Sequence, residues 1–243
     1  MDHGPGTDRL PLTLPVFDVR IETPRTRSVR LSLSGNVFEF SPGQAVRVGL
    51  HGQSLRKPYS IACAPEQAWQ QDALDLLIQV GTDGSAGPHL GVPVPDMPVD
   101  VEGPVGEFRF PANPSGRRFL FVAGGAGIAP LRSMLWHALS TFPYRQCTLV
   151  YSVRSADEFA YASEMRDLAR RGKIVLRETV TRQAEAPWTG ERGRITPAHI
   201  AALVEPVDTL CFVCGPPAMV QDVTAWLRDT GVPEGQILSE GSA

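Results

Sequence analysis

From Val16 to Phe110, apolar residues alternate with polar ones or form short runs, and Pro or Gly interrupts them repeatedly. Val29-Arg30-Leu31-Ser32-Leu33 alternates strictly, and 45–50, 74–80 and 99–101 are further short segments of strand character. Alternation with period two buries one face of an extended strand. Several such strands between turn residues predict an antiparallel barrel, and no long amphipathic helix is legible among them. At Pro111-Ala112-Asn113-Pro114-Ser115-Gly116 the texture changes. Beyond it, strand segments 119–123, 148–151, 174–180, 210–213 and 236–238 alternate with helical segments 131–139, 158–171, 197–204 and 218–230. That alternation builds a parallel sheet with helices on both faces. The chain therefore reads as a loose tail (1–15), an antiparallel β-barrel domain (16–111) and an α/β parallel-sheet domain (117–243).

Composition narrows the picture without redirecting it. A length of 243 residues suits two domains, and 42% apolar with 20% charged residues suits packed cores. The net charge of −3 argues against nucleic acid as a partner. The longest apolar run, 119–131, is broken by glycine and too short to span a bilayer. The first fifteen residues lack the basic start and apolar stretch of a secretory signal, so a cytoplasmic protein is expected. The four cysteines do not have iron–sulfur spacing. Cys211 and Cys214 lie on a strand, where residues three apart face opposite ways, so neither a zinc clamp nor a disulfide is expected from them. No metal site is expected anywhere in the chain.

Three short segments carry candidate chemistry. Gly124-Gly125-Ala126-Gly127-Ile128-Ala129-Pro130 follows a strand and opens a helix. There, glycines permit close approach of a pyrophosphate, and the helix N-terminus offers unpaired N–H groups. Pro130 suits the first helical position, where it sacrifices no hydrogen bond. A ligand-free tight turn is the alternative for a bare glycine loop. Arg56-Lys57-Pro58-Tyr59-Ser60 offers a forked cation, an aromatic plane and a hydroxyl, the groups a flavin needs at its diphosphate, ring and reactive nitrogen. Taken singly they are an ion pair, a core tyrosine and a turn serine. Cys214-Gly215-Pro216-Pro217-Ala218-Met219 closes the set at the end of a strand.

With Gly103-Pro104-Val105-Gly106-Glu107-Phe108 at the barrel's end, these motifs follow the order found in the ferredoxin–NADP⁺ reductase superfamily. The resemblance runs from about Val16 to Glu240. It implies an FAD-holding barrel and a nicotinamide-binding α/β domain, with Tyr59 on the flavin, Ser60 near its N5 and Arg56 at its diphosphate, beside Pro58. It implies that 124–130 holds the nicotinamide dinucleotide's pyrophosphate. Cys214 then lies beside the nicotinamide, framed by Gly215, Pro216, Met219 and Glu240. Ser60, Cys214 and Glu240 are the expected catalytic residues.

Three departures from the family pattern bear on function. The second diphosphate loop commonly reads Gly-x-x-Ser/Thr-x-x-Leu. Here it is Gly84-Ser85-Ala86-Gly87-Pro88-His89-Leu90, with Gly87 at the hydroxyl position, which leaves phosphate to the backbone N–H groups and FMN as an alternative to FAD. The sequence ends Glu240-Gly241-Ser242-Ala243, without the aromatic lid of many relatives. It also has no cysteine-rich iron–sulfur segment, so the expected electron acceptor is another molecule or subunit: ferredoxin, flavodoxin or an oxygenase or complex partner. NADPH and NADH are both compatible. Arg154, after the second strand, suits a 2′-phosphate, and Thr181-Arg182, after the third, resembles the hydroxyl–arginine pair of NADPH-using relatives, so NADPH is favoured, although a solvated Arg182 or an Arg154 paired with Asp157 is the alternative. Two rivals remain: a dehydrogenase acting directly on a small substrate, and a flavin electron-relay or regulatory subunit. The cluster Arg20, Arg25, Arg27 and Arg30 is a docking candidate for the latter or a solvated strand face.

Overall fold

The computed structural model describes residues 11–182 and 188–241. Six strands form the first sheet: β1 (Leu12–Thr23), β2 (Thr26–Ser32), β3 (Ala45–Leu50), β4 (Lys57–Ser60), β5 (Ala73–Gln79) and β6 (Pro98–Val105). Their spatial order is β4-β3-β6-β1-β2-β5, with every pairing antiparallel. A bridge between Ile61, just past β4, and Leu76 of β5 joins the two edges and closes the barrel. The inward residues Leu14, Val16, Val29, Leu31, Leu74, Leu76 and Ile78 fill it, and the alternating positions face out, as period two requires.

The segment 12–15, read as tail, belongs to β1: Leu14 is fully buried and pairs with Val99 of β6. Residues 1–10 lie outside the described part. A short helix, α1 (Pro65–Gln71), follows β4 and has no counterpart in the sequence reading.

The second sheet holds β7 (Arg118–Gly124), β8 (Gln146–Val153), β9 (Val175–Val180), β10 (Glu191–Arg192), β11 (Thr209–Gly215) and β12 (Ile237–Gly241), all parallel, in the order β10-β9-β8-β7-β11-β12. Helices α2 (Ile128–Thr141) and α3 (Ala162–Arg170) supply one face, and α4 (Pro197–Ala201) and α5 (Pro217–Asp229) the other. The strand order reverses between β7 and β11, which is where open α/β sheets bind ligands.

Helix α3 starts four residues later than expected because Tyr161 takes a left-handed conformation (φ 56°) that a helix cannot contain. Helix α4 ends at Ala201, three residues early. Cys211 packs towards α4 and α5, and Cys214 towards α2, so the two thiols do point to opposite faces.

The sheets share a core at their junction. Phe108 and Phe110, which follow the barrel's last strand, pack with Phe119, Phe121, Met134 and Phe212, together with Ala62 and Leu77 from the barrel. Phe110 stacks on Phe212 with ring centroids 5.0 Å apart. Arg132, on α2, donates to the carbonyl of Ala62 (2.7 Å) and to Glu164 of α3 (2.9 Å). Ser133 donates to the carbonyl of Cys63, and the N–H of Tyr161 donates to Glu22 of β1.

Candidate active site at the junction of the two sheets

The switch point is built by glycines that let strand, loop and helix meet. A Cβ on Gly127 would lie 2.3 Å from the carbonyl oxygen of Cys214, and one on Gly124 would lie 2.7 Å from Pro216. A Cβ on Gly215 would strike Met219 and Gly124. Only glycine allows β7, β11 and the N-termini of α2 and α5 to converge this closely. Gly125, at φ +53°, has open space where a side chain would project, so a ligand can approach the backbone there. Pro130 sits in the third position of α2 and is buried, not at the expected first position. The N–H it lacks is still one of the four that find no partner within a helix.

A cleft of about 740 Å³ opens over this point, within the range of cofactor sites. Gly124, Gly125, Pro216 and Met219 line its floor, and Ser152, Arg154, Thr181 and Arg194 line the end beyond β8 and β9. Thr23, Arg25, Thr26 and Gln79 of the barrel form the opposite wall. Among the described residues no carboxylate forms an ion pair with Arg154; Asp157, expected as its alternative partner, accepts from the Ser155 hydroxyl. Arg182 is exposed and does not line the cleft; its N–H donates to the carbonyl of Arg154. Arg194 was not singled out in the sequence, and Arg25 was read only as part of a docking cluster or a solvated strand face. Their relation to Arg154 is made by strand order, which no local spacing reveals.

On the barrel, Lys57, Pro58, Tyr59 and Ser60 form the edge strand β4, where proline removes no ladder hydrogen bond. Arg56 precedes it and lies against two acids, Glu102 (3.1 Å) and Asp100 (3.4 Å). Asp100 also accepts from Thr13, His51 and the N–H of Gly52. Burial pushes its pKa up, but the hydrogen bonds from His51, Gly52 and Thr13 outweigh this and hold it at about 2. Arg56 keeps a buried Nε–H without a partner among the described residues. The two acids hold Arg56 as a fixed cation at the start of β4, the type of group that binds a diphosphate.

The loop 84–90 differs from expectation. The N–H groups of Gly84, Ser85, Ala86, Gly87 and Leu90 all bond within the loop and its flanks, so they are not presented to phosphate. Gly84 and Gly87 have φ of +78° and +103°, which serves the turn itself. Leu90 is 1% exposed and belongs to the barrel core, not to a cofactor surface. His89 is buried behind Tyr59, its Nε2 2.7 Å from the phenol oxygen. Tyr59 is half-buried.

Ser60, Cys214 and Glu240 do not line the cleft itself. Ser60 is half-buried and lies two residues before Ala62, which receives the Arg132 hydrogen bond, so it stands at the junction. Cys214 and Glu240 are register partners on β11 and β12. Cys214 is 2% exposed, and burial, then the Glu240 charge, push its thiol up to about 12. Glu240 is half-buried and its pKa is raised by burial. The thiol is thus neutral at physiological pH and is not a nucleophile. The four arginines at 20–30 do not form one patch: Arg20 pairs with Asp18, Arg30 with Asp75, Arg27 caps the Thr23 and Thr26 carbonyls, and Arg25 faces the cleft.

Comparison with known proteins agrees with this architecture. Residues 14–110 match the oxidoreductase FAD-binding domain family, and residues 121–225 match the oxidoreductase NAD-binding domain family. The chain is 30% identical to oxidoreductase NAD-binding domain-containing protein 1 of Danio rerio, over 98% of this chain and 96% of that protein. It is also 30% identical to ferredoxin–NADP reductase B of Sorangium cellulosum, over 84% of this chain and 85% of that one. The crystal structure of the Amycolatopsis cytochrome P450 reductase GcoB superposes with a TM-score of 0.80 at 25% identity, covering 95% of this chain and 69% of that chain. No helix among the described residues is long and apolar enough to cross a membrane. With a flavin-binding barrel followed by a nicotinamide-binding parallel sheet, the chain belongs to the ferredoxin–NADP reductase-like flavoprotein reductases and is an NAD(P)H-dependent flavoenzyme.

Proposed function

We propose that the protein takes a hydride from NAD(P)H onto FAD at the domain junction and passes the electrons to a separate protein acceptor of the ferredoxin or oxygenase-component class. The observation that carries this reading is the cleft at the β7–β11 switch point, whose far wall is the FAD-binding barrel. FAD, when bound, supplies the hydride-accepting ring and the change from paired to single electrons. The open backbone at Gly125 and the N-terminus of α2 hold the dinucleotide's pyrophosphate. Arg154, Arg194 and Thr181 take its adenosine end. Arg56 holds the flavin diphosphate as a fixed cation, and Tyr59 offers its ring as a plane. Ser60 donates a hydrogen bond where negative charge develops on the flavin, and Cys214 and Glu240 bound the nicotinamide side. The acceptor class rests on the names of two similar proteins, one a ferredoxin–NADP reductase and one a cytochrome P450 reductase.

The test is spectroscopic. Purified protein should be yellow, release FAD on denaturation, and bleach anaerobically with a nicotinamide. Colourless protein that binds no added flavin would favour a direct dehydrogenase, and a yellow protein unresponsive to both nicotinamides would favour a relay subunit.

A further inference from the structure

Tyr59 is held by a residue thirty positions away. Its hydroxyl lies 2.7 Å from Nε2 of His89, and the two rings are nearly parallel (23°) with centroids 5.8 Å apart. His89 has no exposed surface. Burial pushes the phenol up to about 12, so it carries its proton and donates. Burial, then the charge of Lys57, pushes the imidazole down, so Nε2 is the acceptor. The remaining hydrogen is then on Nδ1, which is buried and has no partner among the described residues. It faces Gly87, where even a Cβ would stay 3.7 Å away. A buried imidazole with one nitrogen unmatched is a poor choice for packing alone, because buried polar atoms are ordinarily paired.

We infer that His89 is a positioning residue for the flavin, fixing the Tyr59 ring from beneath by taking its hydroxyl proton as a hydrogen bond. This rests on the proposed contact between Tyr59 and FAD. It assigns the Tyr59 hydroxyl to the protein and leaves only the ring for the cofactor. Tyrosine rather than phenylalanine is needed at this position because a half-buried ring on an edge strand is otherwise free to turn about its χ angles. His89 is brought under it by the backbone bond from Leu50 N–H to the His89 carbonyl, which ties the loop to the end of β3.

A double-mutant cycle on FAD binding tests the coupling. The apoprotein is titrated with FAD, following flavin fluorescence and visible circular dichroism, and folding is checked by far-ultraviolet dichroism. Tyr59→Phe and His89→Leu should each raise the FAD Kd about tenfold, the loss of roughly one hydrogen bond. The double variant should be no weaker than either single one, and all three should show the same altered flavin dichroism. His89→Gln, which keeps an acceptor, should remain close to wild type. Additive losses, or an unchanged Kd and dichroism in His89→Leu beside a weakened Tyr59→Phe, would overturn the inference. Unchanged FAD binding in Tyr59→Ala would instead remove the Tyr59 contact on which it rests.

Discussion

At the scale of single residues, close approach and buried charge decide which positions can vary. Ser60 and Cys214 are the sharpest test of the reaction centre. A hydroxyl that bonds more strongly as charge develops lowers the barrier without tightening ground-state binding. Ser60→Ala should therefore keep FAD and fold normally, yet slow flavin reduction by on the order of 10²–10³ in stopped-flow mixing with NAD(P)H. Cys214→Ala should also stay yellow and reduce more slowly. Because the Cys214 thiol is neutral and 2% exposed, it should also resist alkylation in the folded protein. Wild-type reduction rates in both variants would move the reaction centre elsewhere.

Asp100 gives a pH prediction. Its folded pKa of about 2 lies below the ordinary 3.8, so the folded protein binds fewer protons than the unfolded chain. Its contribution to stability is complete above about pH 4 and fades as pH falls through 2. Melting temperatures of the wild type and Asp100→Asn should therefore converge in that window; a constant difference would show that the carboxylate charge is not what Arg56 and His51 use. Arg56, Tyr59, the glycine loop and, within the 84–90 segment, His89 were legible as motifs, since each is local. Asp100, Glu102 and the contact of His89 with Tyr59 were not, because these partners meet only through the fold, over separations of thirty residues or more.

Elements were legible to the extent that they bury a periodic face. The barrel strands and β7, β8 and β11 carry apolar runs that can only be buried, so their existence follows from pattern. Helix α1 buries only Ala68, and its start is set by Pro65 and by the Gln67 side chain accepting from the Ala64 N–H, which leaves no apolar stripe to read. The two-residue β10 is exposed and polar, and is held against β9 just past its end, where the Gly193 N–H donates to the Val180 carbonyl and the Thr179 hydroxyl to the Gly193 carbonyl.

The turn between β1 and β2 has a role that periodicity could not show. It brings Thr23, Arg25 and Thr26 to the cleft wall opposite Arg154 and Arg194, while Glu22 beside it accepts from the Tyr161 N–H. A cation there should steady the phosphates from the barrel side. Arg25→Ala should raise the Kd for NAD(P)⁺ several-fold, measured by the shift it causes in the flavin spectrum, and leave FAD content unchanged. An unaltered Kd would make the turn a passive wall.

For the whole molecule, hydride transfer across two domains needs their relative placement held to within fractions of an ångström. The junction supplies this in two ways. Phe108 and Phe110 leave the barrel and enter the core of the parallel sheet, so the two sheets do not have separate cores at this edge. Arg132, 8% exposed, then joins three elements: it bonds Ala62 on the barrel and Glu164 on α3, lies 3.7 Å from Asp75, and stacks over Tyr161 at 4.6 Å. The pair with Glu164 is bidentate, which fixes angle as well as distance. Removing the guanidinium leaves the Ala62 carbonyl without its donor and takes the cation from Glu164 and Asp75, which keep Trp136 and Arg30 as their remaining partners, a loss of about 1–3 kcal/mol for the buried acceptor and more with the charge.

Arg132→Ala should therefore lower the melting temperature sharply and, more tellingly, separate the two domains. Wild-type protein should unfold in one calorimetric transition coincident with flavin release, since the shared aromatic core makes the halves cooperative. In Arg132→Ala, flavin release should precede loss of the parallel sheet. Arg132→Lys should rescue little of this, because an ammonium cannot reach Ala62 and both Glu164 oxygens together. Coincident transitions in Arg132→Ala would mean that the aromatic contact alone couples the domains. The ion cluster would then be a local feature of α2 and α3, not the tie that sets the geometry of the cleft.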